Sequence, residues 1–313
     1  MRARLLIGIP LALLIVGILL LDGHLAAQVP PTWPMFGLDL GDWLRNGSLC
    51  TGLIVVLTLL TVHELVHLAR VRGYRPFAGT AQFFAAALVI GPYVSYNLSP
   101  VTGGYDESWG LLWLALALTF MFLRQSARYR TQNAMENLAI TIFIIFYAGG
   151  LAGFMTKLRM EVGGQTGVTL LLFSMFIVKI TDTGAYFTGR AFGRHKLVEW
   201  LSPKKTWEGF FGGLATALLC AVLLGHWLIG AGWLRFDEWH LSATGALVLL
   251  GLLLGLVSVA GDLAASLLKR DAAVKDSGQV FPGLGGVLDV VDSPLLAAPI
   301  IWLFWTRLCH VHV

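Results

Sequence analysis

The sequence predicts an all-α fold, a polytopic integral membrane protein with about nine transmembrane helices. Three observations predict it. Only 13% of the 313 residues are Asp, Glu, Lys or Arg, against about 25% in a soluble domain. Hydrophobic residues make up 57%, and the mean hydropathy is +0.75. The apolar residues also come in blocks of about 20, the length at which a helix crosses a hydrocarbon core. They are not spread as the one-sided stripes of amphipathic helices.

The segments follow in order, each bounded by charge, Pro or Gly. The first, 5–21, opens behind Arg2 and Arg4 and resembles a signal peptide, with Ala26-Ala27 as a candidate cleavage site. Its apolar run exceeds the ~7–15 residues of a signal h-region, which favours a retained helix. The second, 51–69, stops at Arg70 and Arg72, and the third, 80–98, stops before Pro100. The fourth, 109–123, ends at Arg124, and the fifth, 135–155, ends before Lys157. The sixth, 166–187, lies between Gly163-Gly164 and Gly189-Arg190, and the seventh, 210–230, starts after Glu208-Gly209. The eighth, 241–264, precedes Lys269-Arg270, and the ninth, 293–308, follows Asp292.

Charge tests this count. With the N-terminus inside, the inner segments hold sixteen of the 22 basic residues and the outer ones five (Arg45, Lys157, Arg159, Arg235, Arg307), with Lys179 inside a span. That bias is the positive-inside rule, and a wrong number of spans in mid-chain would mix the two sets. The net charge of +4 is too small to suggest a nucleic-acid partner. Cys50, Cys220 and Cys309 form no CxxC pair, so neither a disulfide framework nor a cysteine metal site is indicated. Residues 1–140 read as scaffold and a candidate homodimer surface. Residues 141–313 place Lys179, Asp182, Asp262 and Asp289 in or at the ends of apolar segments, where ionisable groups are costly and mark function.

His63-Glu64-Leu65-Val66-His67 is an HExxH string, whose two histidines share a helix face and could bind zinc with Glu64 as general base. A catalytic zinc needs a third protein ligand, and the later aspartates each have a richer local context. The string is therefore expected to be a helix end at the membrane surface, and Glu64→Gln to have little effect.

Two stretches carry the chemistry. The first runs from Lys179 through Asp182-Thr-Gly-Ala-Tyr186 and Gly189-Arg190 to Ser202-Pro-Lys204-Lys205-Thr206-Trp-Glu-Gly209. The second runs from Gly261-Asp262 through Ser266, Lys269-Arg270 and Lys275-Asp276-Ser-Gly278 to Gly285-Gly286-Val-Leu-Asp289 and Asp292. Asp262, Ser266 and Lys269 fall at i, i+4 and i+7, on one helix face. Asp289 and Asp292 share a face if the last helix begins there. Positive-inside bias explains the lysines but not the interleaved aspartates. Mg²⁺ takes one or two carboxylates plus phosphate oxygens, and glycine lets backbone N–H groups approach phosphates. No GxxxxGK[ST] or GxGxxG string is present, so a P-loop or Rossmann site is unsupported. The residues alone point to a membrane enzyme that handles a phosphorylated substrate with Mg²⁺.

The second stretch resembles the signature of the phosphatidate cytidylyltransferases (CDP-diacylglycerol synthases). Ser266, Lys269, Arg270, Lys275, Asp276, Gly278, Pro282, Gly285, Gly286, Asp289 and Asp292 match in order and spacing. The first stretch is similar to the family's D-S/T-G-A-Y and S-P-K-K-T-W-E-G segments, and Phe146-Tyr147-Ala148-Gly149 to a weaker upstream block. The resemblance implies cytidylyl transfer from CTP to phosphatidate in a bacterial cytoplasmic membrane, with the site facing the cytoplasm. It implies Mg²⁺, with room for a second metal ion, on Asp262 and Asp289, and Lys275 and Asp276 beside them in catalysis. Asp182, Ser202, Lys204, Lys205, Thr206, Ser266, Lys269, Arg270, Gly285, Gly286 and Asp292 would bind substrate. Leu284 and Val290 depart from the pattern, standing where the family has His and Arg. The alternatives are a CTP-dependent kinase of a polyprenol or phytol, which would release CDP, a transporter with intramembrane carboxylates, and the HExxH protease.

Overall fold

The computed structural model describes residues 2–28, 34–35, 38–102, 108–234, 242–278, 280–281 and 285–309. Within them nine helical spans are long and apolar enough to cross a membrane, one at each expected segment. In chain order the helices are α1 (Arg2–Gln28), α2 (Leu40–Arg45), α3 (Ser48–Val71), α4 (Ala78–Thr102), α5 (Trp109–Arg128), α6 (Ala134–Ile144) and α7 (Leu151–Val162). They continue as α8 (Gly164–Phe192), α9 (Trp207–Gly230), α10 (Ala243–Asp271) and α11 (Leu288–Leu303). A π-helical turn, Ile145–Gly150, joins α6 to α7 into one span, and a second, Phe304–Leu308, finishes the last. The strands are two short antiparallel hairpins, β1 (Pro34–Met35) with β2 (Leu38–Asp39) and β3 (Lys196–Val198) with β4 (Ser202–Thr206).

Local chemistry sets the boundaries. Gly163, at φ 71°, breaks the chain between α7 and α8. Thr206 caps α9 by accepting from the Gly209 N–H at 3.1 Å, and Ser242 caps α10 by accepting from Gly245 at 3.2 Å, which satisfies donors that a helix start leaves open. Helices α8 and α10 have 29 residues each, or about 43 Å at 1.5 Å per residue. That exceeds a ~30 Å hydrocarbon core, so both project beyond it, and α10 runs past the expected end at 264.

One continuous apolar core contains Leu19 of α1, Val62 of α3, Ala85 of α4, Ile177 of α8, Leu250 of α10 and Trp305. Residues 1–140 and 141–313 are therefore packed as one body. Helix α1 is tied in by a buried ion pair: Arg159 Nε lies 2.9 Å from Asp22 Oδ2, each side chain 1% exposed. Asp22 Oδ1 accepts from the N–H groups of Leu49 and Cys50 at 3.1 Å each, capping α3 from another helix.

Candidate active site

A cavity of about 530 Å³ opens among α8, α9, α10, the start of α11 and the β3–β4 hairpin. Its wall carries four carboxylates, Asp182, Asp262, Asp289 and Asp292, and four basic side chains, Lys179, Arg190, Lys204 and Lys205. Each comes from a different local device. Asp182 lies mid-helix on α8, and its Oδ1 is 3.1 Å from Ser258 Oγ on α10. Asp262 faces it from α10. Lys204 and Lys205 ride on β4, and Glu208 at the start of α9 holds the entry to β3: it accepts from the backbone N–H groups of Arg194 and His195, and its Oε1 lies 2.6 Å from His195 Nδ1. The last helix begins at Leu288, so Asp289 and Asp292 do share its first turns.

Two features bring α11 against α10. Gly261 has no side chain where one would meet backbone, since a Cβ there would stand 2.6 Å from Ser293 Cα. Ser293 Oγ then donates to the Ser258 carbonyl at 3.0 Å. Gly285, at φ +100°, makes the left-handed turn before the helix. Its neighbour Gly286 donates its N–H to Asp289 Oδ2 at 2.9 Å, and the Ser277 N–H donates to the same oxygen at 3.0 Å.

Every carboxylate of the wall but Asp182 is paired with a lysine. Lys205 Nζ lies 2.6 Å from Asp262 Oδ2, Lys269 Nζ 2.5 Å from Asp289 Oδ1, and Lys179 Nζ 3.8 Å from Asp292 Oδ1. Lys269 is 9% exposed, and a buried ammonium is stable only with such a partner. These carboxylates accept cations at close range.

The structure brings together Asp182, Ser202, Lys204, Lys205, Thr206, Asp262, Asp289 and Asp292 around the cavity. It places the other sequence candidates differently. Lys269, Gly285 and Gly286 stand behind Asp289 and shape it. Ser266 lies half-buried one turn beyond Asp262, outside the cavity lining. Arg270 is exposed and donates to the Val274 carbonyl at 3.1 Å. Lys275 and Asp276 are exposed and do not line the cavity. Val290 is half-buried on α11, while Pro282 and Leu284 lie outside the described residues.

Sequence reasoning left several residues without a role. Tyr186 and Phe210 contribute aromatic surface to the wall, although Tyr186 does stand in the quoted D-T-G-A-Y segment. Glu64 is the larger omission. His63 and His67 are exposed while Glu64 is 3% exposed, so the HExxH string turns its acid inward and its histidines outward. Among the described residues no group of three or more His, Cys, Asp or Glu side chains could hold a metal ion. Glu64 is not the surface residue expected of a helix end; it accepts hydrogen bonds from the loop that carries Asp289.

Comparison with known proteins identifies the family. The chain is 31% identical to a phosphatidate cytidylyltransferase of Synechocystis sp. over 302 residues, 88% of this chain and 92% of that protein. It is 39% identical to the Haemophilus influenzae protein of the same name over 206 residues, 63% of this chain and 65% of the relative. An Arabidopsis thaliana relative, phosphatidate cytidylyltransferase 5, chloroplastic, is 31% identical over 86% of this chain and 69% of its own length. The sequence pattern of the cytidylyltransferase family matches residues 37–308, a range that includes every carboxylate and lysine of the cavity, and the chain belongs to that family.

Proposed function

We propose that this integral membrane protein is a nucleotidyltransferase that moves the cytidylyl group of CTP onto phosphatidate, forming CDP-diacylglycerol and pyrophosphate. The observation that carries the reading is the alternation of carboxylate and lysine around one cavity, in a chain whose relatives bear that activity in their names. The basic residues expected inside support a site facing the cytoplasm of a bacterial inner membrane. Pairing of two copies through the exposed apolar faces of α1 and α5, such as Leu13, Leu14 and Leu111, belongs to the same proposal. The mass of the solubilised particle reads it.

The donor set fits a hard divalent cation. Asp262 and Asp289 each already hold an ammonium at 2.6 Å or less, and Mg²⁺ needs only one or two carboxylates when phosphates and water complete its shell. Asp262 and Asp289 would hold Mg²⁺, with Asp182 and Asp292 available to a second cation. When bound, it would neutralise charge on the reacting phosphates.

The chain's own residues do the rest. Four basic and four acidic groups leave the wall near neutrality, so a polyphosphate binds by exchanging partners with the resident lysines. Lys204, Lys205 and Arg190 offer charge-assisted donors to phosphate oxygens and hold the triphosphate in line. A phosphatidate oxygen forms the new bond to the α-phosphorus. The bond from that phosphorus to the bridging oxygen breaks, and its electron pair leaves on pyrophosphate. The attacking phosphate is already an anion, so no base has to remove a proton. Positioning and electrostatics supply the rate.

The test is to supply purified protein in mixed micelles with phosphatidate, CTP and Mg²⁺. Pyrophosphate and CDP-diacylglycerol should appear together and only with all three present. Release of CDP would instead identify a kinase, and no turnover would sink the reading.

A further inference from the structure

The carboxylate of Glu64 is on α3, in the half of the chain that contributes nothing to the cavity wall. Yet it reaches the turn that leads into Asp289. Its Oε1 accepts from the Val287 N–H at 2.7 Å, and its Oε2 accepts from the Leu288 N–H at 2.9 Å. These are donors that the first turn of α11 leaves open, and an anion there also meets the positive end of the helix. Glu64 therefore caps α11 from 223 positions away in sequence.

A third contact links Glu64 to the chemistry. Ser277 Oγ lies 2.7 Å from Glu64 Oε2 and 3.0 Å from Asp289 Oδ2. A hydroxyl has one proton to donate, so the two carboxylates compete for it. Asp289 Oδ2 also receives the N–H groups of Ser277 and Gly286. The loop is shaped around this arrangement. A Cβ at Gly286 would overlap Glu64 Oε2 and Ser277 Oγ, and one at Gly278 would stand 2.7 Å from Glu64 Oε1. Gly278 and Gly286 thus make room for a buried acid, and Gly286 also offers its N–H group to Asp289.

We propose that Glu64 is a positioning residue for the reaction. It fixes the start of α11 and, through the Ser277 hydroxyl, sets the orientation of Asp289. The proposal rests on the cytidylyl-transfer reading. Asp289 would hold the cation, and with that charge on Asp289 the Ser277 hydroxyl would be free to donate to Glu64 alone. Glu64 supplies the alternative acceptor that keeps the loop in place.

The test uses the full chain in detergent and compares wild type with Glu64→Gln, in which an amide nitrogen must face the helix donors. Two quantities are read: Mn²⁺ affinity in the presence of CTP, followed by electron paramagnetic resonance, and steady-state transfer. Outer-shell partners change metal affinity or activity by about 10- to 100-fold. Glu64→Gln should weaken Mn²⁺ by about tenfold and lower kcat about as much, leaving the KM for phosphatidate unchanged. General loss of fold would lower the active fraction without moving the Mn²⁺ affinity of what remains. In a Ser277→Ala background the Glu64→Gln penalty should shrink. A penalty of equal size in both backgrounds would assign Glu64 to helix capping alone and overturn the link. If Glu64→Gln is not recovered folded, Glu64→Asp, one methylene short of the loop, should show the same shift. Unchanged affinity there overturns the proposal. Wild type that makes no CDP-diacylglycerol defeats the functional reading and this one together. Active wild type matched by Glu64→Gln defeats only the positioning role.

Discussion

Gly261→Ala tests whether the meeting of α10 and α11 sets the geometry of the site. A Cβ at Gly261 would stand 2.6 Å from Ser293 Cα, 3.0 Å from the Asp292 carbonyl oxygen and 3.2 Å from Ser293 N. All three are backbone atoms, so no rotamer change relieves them. Ordinary van der Waals contact begins at 3.4 Å, and the helices must part by about 0.8 Å to restore it. Overpacking of this size costs about 1–3 kcal/mol of stability, which a nine-span fold should survive. The effect on rate should be larger. Asp262 stands next to Gly261 on one helix, and on the other Asp292 is part of the contact with Asp289 three residues before it, so parting the helices pulls the carboxylates apart. A displacement near 1 Å can cost about 100-fold in rate, and we expect a loss of about 10- to 100-fold in CDP-diacylglycerol formation. Gly52→Ala is the control: Gly52 is exposed on α3, and a methyl group there would meet nothing within 4 Å, so its rate should stay at wild type. A folded Gly261→Ala protein within twofold of wild type would refute the claim that this contact positions the site.

Asp289→Asn should lower transfer by at least about 100-fold while the protein still purifies folded; chelating divalent cations from wild type should do the same, and a near-normal rate in either experiment contradicts the assigned role. Asp22→Ala leaves the Arg159 guanidinium buried without its partner and should destabilise by about 3–5 kcal/mol, read as a marked drop in Tm; an unchanged Tm would show that the pair is dispensable. His63→Ala and His67→Ala should leave the rate within twofold, as should a zinc-selective chelator, and a strong loss would revive the metalloprotease reading.

The spans are legible in the sequence because twenty apolar residues in a row are a local signal, and charge bias on the connecting segments checks their number. Asp182, Asp262 and Asp289 are legible because acids are costly at membrane depth and stand out wherever they occur. What escapes is non-local. Glu64 looks like half of a zinc motif, and only packing shows that its carboxylate points away from the histidines toward residues 277–288. Asp22 and Arg159 sit 137 positions apart, with nothing in their neighbourhoods to announce a pair. Lys275 and Asp276 belong to a recognisable string, but their spacing gives no account of which way a loop turns, and the structure leaves both exposed. The helical spacing of Asp262, Ser266 and Lys269 carries α10 past the apolar span that closes at 264, and its hydrogen bonds continue to Asp271.

The lysine–aspartate pairs around the cavity also bear on how the protein lives between turnovers. Lys205 on Asp262 and Lys269 on Asp289 work like an ion-exchange resin stored in its salt form. Such a bed stays compact without its analyte, and it releases one counter-ion for each charge it takes up. On the proposed reading, part of the attraction for nucleotide would be consumed in breaking the Lys205–Asp262 pair at the cavity wall, which would temper affinity and let pyrophosphate leave when that pair re-forms. Product release would then be written into the resting state.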